Sequence, residues 1–191
     1  MAVNRVFVDT NVLFPFSVMD LMLALTEDSI HEVIWTDRLL AEWERVIVRH
    51  HRRSTVSARA VTAAIREFFA DSQVDEHEYA PLVDSMPGDD PDDRHHMAAA
   101  VKGRAHALLT WNLDDFPAAP LAAMGVRVTD PDQYLCELLD EVPQEVTATA
   151  VRLASEKRRP PKTPHDLADD LAKAGVPSFV ASLRTILDQI R

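Results

Sequence analysis

The chain has 191 residues, of which 47% are hydrophobic and 27% charged, and a formal net charge of −11. That length suits one substantial core and is short for two ordinary domains; its one cysteine, Cys136, excludes an intrachain disulfide and fits a buried core thiol better than a nucleophile. The acidity argues against binding nucleic acid by broad electrostatic attraction, although carboxylates gathered around cations would contribute to such a total.

Taken in chain order, the start Met1-Ala2-Val3-Asn4-Arg5 runs into a short strand pattern over residues 3–8 rather than a charged leader and a long apolar segment. No apolar run approaches the roughly 20 residues that a membrane-spanning helix needs, so no membrane partner is expected and cytoplasmic residence is the default. The strand Val6-Phe7-Val8 stops abruptly at Asp9-Thr10-Asn11, which delivers a carboxylate to its C-terminal end. Val18, Leu21, Met22 and Leu25 are spaced for a helix, a strand follows near Val33-Ile34-Trp35, and Thr36 can cap a helix carrying Leu39, Leu40, Trp43, Val46 and Ile47.

Another helix is expected over residues 57–69, then a proline-rich loop over 79–91 with a brief strand at Leu82-Val83, then a helix opening near Asp92 or Asp93. Residues 106–110 read as a second central strand, which ends in Trp111-Asn112-Leu113-Asp114-Asp115-Phe116 and so repeats the strand-then-polar-loop arrangement at Asp9. A short helix from Pro117 to Met124, a strand at 126–128 and a helix capped by Asp130 with Pro131 in its first turn follow. Short strands separated by helices imply a parallel α/β sheet, whose strand ends are the expected place for chemistry.

Beyond Asp140 the pattern is purely helical, with helices expected near 145–154 and 164–173 and a last one carrying Phe179, Leu183, Ile186, Leu187 and Ile190. The stretch Arg159-Pro160-Pro161-Lys162-Thr163-Pro164 is a stiff connector. We divide the chain at 139/140, with a helical extension over 140–191 that packs on the core or forms an interface.

Charge is unevenly placed. Nine acids lie between Asp71 and Asp93 without a Lys or Arg among them, whereas Arg45, Arg49, Arg52, Arg53 and Arg59 cluster with His50 and His51, and Lys157-Arg158-Arg159 with Lys162 forms a second basic run. Such basic tracts are either solvated helix ends or the flanks of a phosphate path. The second reading requires that folding bring them beside an acidic centre.

Asp9, Glu42, Asp93 and the cluster Asn112, Asp114 and Asp115 fall where expected elements begin or end, so they can converge on one sheet edge. Oxygen ligands of this kind suit Mg2+ or Mn2+ rather than Zn2+. Each residue also has an ordinary reading: Asp9 as a turn acid bonding the amides of Thr10 or Asn11, Glu42 as a solvated helical acid, Asp92 and Asp93 as cap and first-turn acids, Asn112 and Asp115 as turn formers. His95 and His96 point in different directions on one helix, and His96 either packs beside the acids, contacts phosphate or lies on the surface. Trp111 serves as a core residue or as a stacking surface for a base.

Over residues 3–136, three segments in this order, Val6-Phe7-Val8-Asp9-Thr10-Asn11, Asp92-Asp93-Arg94-His95-His96-Met97-Ala98-Ala99-Ala100 and Leu108-Leu109-Thr110-Trp111-Asn112-Leu113-Asp114-Asp115-Phe116-Pro117, with a Glu-bearing helix between the first two, resemble the PIN-domain family, especially the VapC-like toxins of bacterial toxin–antitoxin pairs. The resemblance implies a three-layer α/β/α fold with a short central parallel sheet, and a metal-dependent endoribonuclease that hydrolyses RNA with water as the attacking group. It makes Asp9, Glu42, Asp93 and Asp115 catalytic, Asp9, Asp93, Asn112 and Asp115 metal-binding, and Thr10, Asn11, Asp92, His96, Thr110 and Trp111 supporting or substrate-facing. Asp92 is a close alternative to Asp93. Family members commonly carry Asp where Asn112 stands, and the lost charge leaves one or two ions open. An antitoxin protein and a homodimer are further expectations from the family. The rival readings are a housekeeping structure-specific nuclease and a noncatalytic RNA- or protein-interaction module.

Overall fold

In the computed structural model, which describes residues 4–189, four short apolar runs pair as one parallel sheet. The strands β1 (Asn4–Val8), β2 (His31–Ile34), β3 (Ala107–Leu109) and β4 (Arg127–Thr129) stand in the order β2-β1-β3-β4. Because β1 and β3 are central and covered on both faces, Val6, Phe7, Val8, Leu108 and Leu109 are completely buried, which is why these strands read as continuous apolar runs rather than alternating ones.

Helices α1 (Thr10–Leu13) and α2 (Phe16–Glu27) lead from β1 to β2. Four more, α3 (Asp37–Arg49), α4 (Thr55–Phe68), α5 (Glu76–Tyr79) and α6 (Pro91–Lys102), lead from β2 to β3, and α7 (Ala118–Ala123) leads on to β4. Beyond β4 come α8 (Pro131–Glu141), α9 (Pro143–Glu156), α10 (Pro164–Lys173) and α11 (Pro177–Leu187).

The register assigns the faces. Asn4 pairs with His31 and Val6 with Val33, so these residues share one face, where the His31 ring meets Tyr134 of α8 and the Met22 carbonyl of α2. Phe7 and Ile34 share the other face, where Phe7 lies against His96 and Ile34 against Gly103, both from the α6 segment. The result is a three-layer α/β/α arrangement with additional C-terminal helices. Gly103 is required there: a Cβ at that position would come within 2.4 Å of the Ile34 side chain.

The C-terminal helices lie on the rest of the chain rather than apart from it. α9 packs on α2, and α11 on α8 and α10, so that Val146, Leu167 and Phe179 belong to the same buried cluster as Val6 and Leu108. Polar contacts lock the packing. Asp28, just past α2, accepts from Thr149 Oγ1 at 2.6 Å, and Asp132 of α8 accepts from the backbone N–H groups of Ser178 and Phe179 at 3.0 and 2.8 Å, capping α11 from a distance. The sequence boundary at 139/140 falls in the last turn of α8. The connector at Arg159–Pro160 contains a cis peptide bond.

Several expectations shift. Leu82 and Val83 lie in a 3-10 helix over Ala80–Ser85 instead of a strand, because Pro81 in its first turn fixes a helical φ. α6 begins at Pro91, with Asp90 as its cap bonding the Asp92 amide, so Asp92 and Asp93 are both first-turn residues. α1, directly after Asp9, is a single turn too short to leave an apolar periodicity. Cys136 is half-buried at the margin of the core, and burial raises its thiol pKa. Val3 and Ile190, read as part of the first strand and last helix, lie outside the described residues. Among those described, no helix is long and apolar enough to cross a membrane.

His31 makes the interior sensitive to acid. A carbonyl only accepts, so Nε2 donates to Met22 O at 2.8 Å and Nδ1 accepts from the Tyr134 hydroxyl at 2.9 Å, which requires a neutral ring. Burial, only partly opposed by the Met22 bond, lowers the pKa from 6.5 to about 4. The unfolded chain therefore takes up this proton first; the contribution is complete above about pH 6.5 and is lost as pH falls toward about 4. Urea unfolding should show this as a loss of roughly 3 kcal/mol across that interval that His31→Gln does not share. Identical pH slopes for the two proteins would show that the ring is not held neutral.

Candidate active site

Asp9 leaves β1 in an extended conformation and precedes α1, yet its side chain does not cap that helix. The ordinary reading, a turn acid bonding the next amides, is therefore not what the geometry shows. Instead Oδ2 accepts from Asn11 Nδ2 at 2.6 Å and from Thr110 Oγ1 at 2.8 Å. Thr110 follows β3, the strand beside β1, and its hydroxyl in turn accepts from Asn11 Nδ2 at 3.1 Å and from the Asn112 amide at 3.0 Å. Asn11 Oδ1 accepts from the Trp111 amide at 3.2 Å, which closes the network across the two strand ends.

The other carboxylate oxygen of Asp9 faces α6. His96 Nδ1 lies 3.5 Å from Asp9 Oδ1, and His96 Nε2 lies 3.3 Å from Glu42 Oε2 on α3. Both contacts are long and poorly aligned for hydrogen bonds, and each sets a carboxylate against one ring nitrogen. Burial alone would lower the His96 pKa, but Asp9 and Glu42 outweigh it and raise it to about 9. The imidazolium thus stands between two acids that would otherwise repel each other.

Asp93 lies three residues before His96 and so on the same side of α6. Partial burial, then the charges of Asp90 and Asp9, raise its pKa to about 6, with His96 opposing and Asp115 adding to the rise. Asp92 turns elsewhere: it is exposed and pairs with Arg38 at 2.5 Å. His95 likewise points away, its ring edge-on to Tyr79 at 6.1 Å. Asn112, Asp114 and Asp115 are exposed on the turn after β3, and Thr10 is buried with its hydroxyl unpartnered among the described residues.

The structure thus brings Asp9, Glu42, Asp93 and His96 together with Asn11 and Thr110, places Asn112 and Asp115 on the rim, and leaves Asp92 outside. Two participants escaped the sequence reading. Asp90, whose charge reaches Asp93, was legible as an Asp-Pro helix start, and Arg38, which holds Asp92, sits four residues before Glu42 on one face of α3.

Among the described residues, no group of three or more His, Cys, Asp or Glu side chains is assembled closely enough to hold a metal ion. The donor chemistry still fits a hard divalent cation, because Asp9 and Asp93 offer carboxylate oxygens whose mutual repulsion is felt at Asp93.

Residues 5–114, more than half of the chain, match the family model described as "PIN domain", and the chain belongs to the PIN-domain family. Residues 131–185 match a second model, "VapC50 C-terminal domain". A Mycobacterium tuberculosis (strain H37Rv) protein named "Putative ribonuclease VapC50" is 36% identical over 94 residues, which is 49% of this chain and 55% of that protein. The similarity therefore spans about half the length of each. No solved structure matches the chain.

Replacing His96 with Leu should leave Asp9 and Glu42 facing each other without a cation and destabilise the fold by about 3 kcal/mol or more. Adding Glu42→Gln should recover part of that loss. Chemical denaturation near neutral pH without divalent ions measures both, and an unchanged midpoint for His96→Leu would mean that the ring does not neutralise the pair.

Proposed function

We propose that this protein is a metal-dependent endoribonuclease of toxin type, cytoplasmic and restrained by an antitoxin protein. The observation that carries the reading is the Asp9 carboxylate, which Asn11 and Thr110 hold at the sheet edge while it shares its surroundings with Asp93. Membership of the PIN-domain family and the name of the Mycobacterium tuberculosis relative, a ribonuclease, agree with it.

In this mechanism Asp9 and Asp93 would hold Mg2+ or Mn2+, and Asn112 and Asp115 would supply further oxygens to one ion or to a second. A divalent cation bound there would supply a lowered pKa for water and a positive charge against the phosphate. Asn11 and Thr110 keep Asp9 oriented, since both donate to Oδ2 and leave Oδ1 turned toward α6, where His96 Nδ1 lies 3.5 Å away. His96 occupies a buried position behind the acids and balances Asp9 and Glu42, and so acts as a positioning residue. Glu42 faces the ring at 3.3 Å and enters the reaction only through that contact or by releasing it.

An antitoxin can inhibit by inserting a guanidinium among Asp9, Asp93 and Asp115, where a planar side-chain cation would take the place of metal. A second copy of the chain is a further partner on this reading.

Purified, inhibitor-free protein should cleave RNA with Mg2+ or Mn2+ and stop in chelator. Asp9→Asn and Asp93→Asn should each lower the rate by about a hundredfold or more. Turnover that persists in chelator, or that survives both substitutions, would rule the proposal out. Sequencing of the fragments would identify the cleavage site.

A further inference from the structure

The two basic tracts of the sequence, about a hundred residues apart, meet in the fold. A cavity of about 560 Å³, within the range of ligand pockets, opens between the turn at Phe14–Phe16 with Arg52 on one side and the segment from Lys157 to Ala174 on the other. Its lining carries Arg52, Lys157, Arg159, Lys162 and Lys173 against two acids, Asp20 and Asp170. Lys157 pairs with Asp20 and Lys162 with Asp170, so the acids are spent within the walls. Arg52, Arg159 and Lys173 are exposed and form no ion pair among the described residues. A chain of net charge −11 therefore concentrates three uncompensated cations in one concavity.

Arg52 is not free to wander. Its guanidinium lies 5.4 Å from the centre of the Phe14 ring, and next to it Arg53 lies 4.3 Å from the centre of Phe16, contacts that hold planar cations in a set orientation.

No side chain of the candidate active site lines the cavity, but each wall is joined to that site, one along the chain and the other by a close contact. On one side Phe14 is five residues after Asp9, at most about 18 Å of chain. On the other, Ala174 borders the cavity and Gly175 follows it, placed so close to Trp111 that a Cβ there would lie 3.2 Å from the indole. Trp111 in turn donates its amide to Asn11, which holds Asp9. The φ of +106° at Gly175 is one that residues with a side chain rarely adopt, so close approach and backbone conformation select glycine together.

We infer that this cavity binds the phosphate backbone of single-stranded RNA on its way to the candidate active site, so that the C-terminal helices supply half of the substrate path; the inference rests on the nuclease reading above. Unpaired cations, one of them braced on an aromatic ring, close to an acidic centre are what a flexible polyanion cut at that centre requires. An acidic protein segment would use the cations but would gain nothing from continuity with Asp9.

The test measures anisotropy of a short labelled single-stranded RNA of mixed sequence, at several salt concentrations, with the full chain carrying Asp9→Asn to prevent turnover. Adding Arg52→Glu, Arg159→Glu and Lys173→Glu should weaken binding at least about tenfold and flatten the slope of log affinity against log salt by about 2, as expected for three lost phosphate contacts on a single strand. The corresponding Gln triple variant, checked by thermal melting, repeats the measurement where charge reversal disturbs folding. Unaltered affinity and slope would overturn the inference, as would salt-dependent binding of a labelled oligoglutamate peptide at these residues in place of RNA. RNA binding that depends on the cavity in a wild-type protein that cuts no RNA would uphold the path and refute the nuclease reading; cleavage with unaltered affinity in the variant would do the reverse.

Discussion

Gathering carboxylates at the end of a buried strand is electrostatically unfavourable, and the rest of the arrangement follows from how that cost is met. Asp9 is nearly buried, within the influence of Asp93 and on the far side of a ring from Glu42. Neutral donors from two adjacent strand ends satisfy one of its oxygens, and a protonated imidazole balances the other. The parallel pairing of β1 with β3 is what makes the first half possible, since it sets Thr110 beside Asp9 although they are 101 residues apart. The packing of α6 on the face that carries Phe7 makes the second half possible, because it brings His96 over the strand end.

Much of this was legible before folding because it depends on local signals. Apolar runs ending in acids marked β1 and β3, Thr36 and Asp130 marked helix starts, and both caps form as read. The parallel α/β class followed from short strands alternating with helices, and its three-layer form from the family resemblance. Less legible was anything decided by long-range pairing. No spacing rule says that His96, rather than a residue one turn away, becomes the counter-charge of Asp9, or that Arg38 draws Asp92 outward while Asp93 lies within reach of the Asp9 charge. Leu82-Val83 misled because two adjacent branched residues suit a strand, while the proline before them and the packing against α6 impose a helical turn. The single turn α1 was invisible because four residues do not establish a period.

The second family match, over residues 131–185, begins with α8 and takes in all the helices after it. That grouping has a physical basis in the docking of α9 on α2 and α11 on α8, with Asp28 and Asp132 each bonding across to a helix far along the chain. The same helices carry the Ala174-Gly175 corner that meets Trp111, so the part of the chain richest in plain helix pattern also reaches the strand ends.

Asp132 has one more consequence. Helices α3, α4, α6, α8 and α10 each begin with a side chain of their own that bonds a first free amide, but Val176 at the head of α11 has none, and the acceptor comes from 46 and 47 residues earlier. The first turn of the last helix thus has its free amides satisfied only where α8 and α11 are docked. That borrowed carboxylate makes the cap a tertiary contact, so a change at Asp132 reaches the far end of the chain.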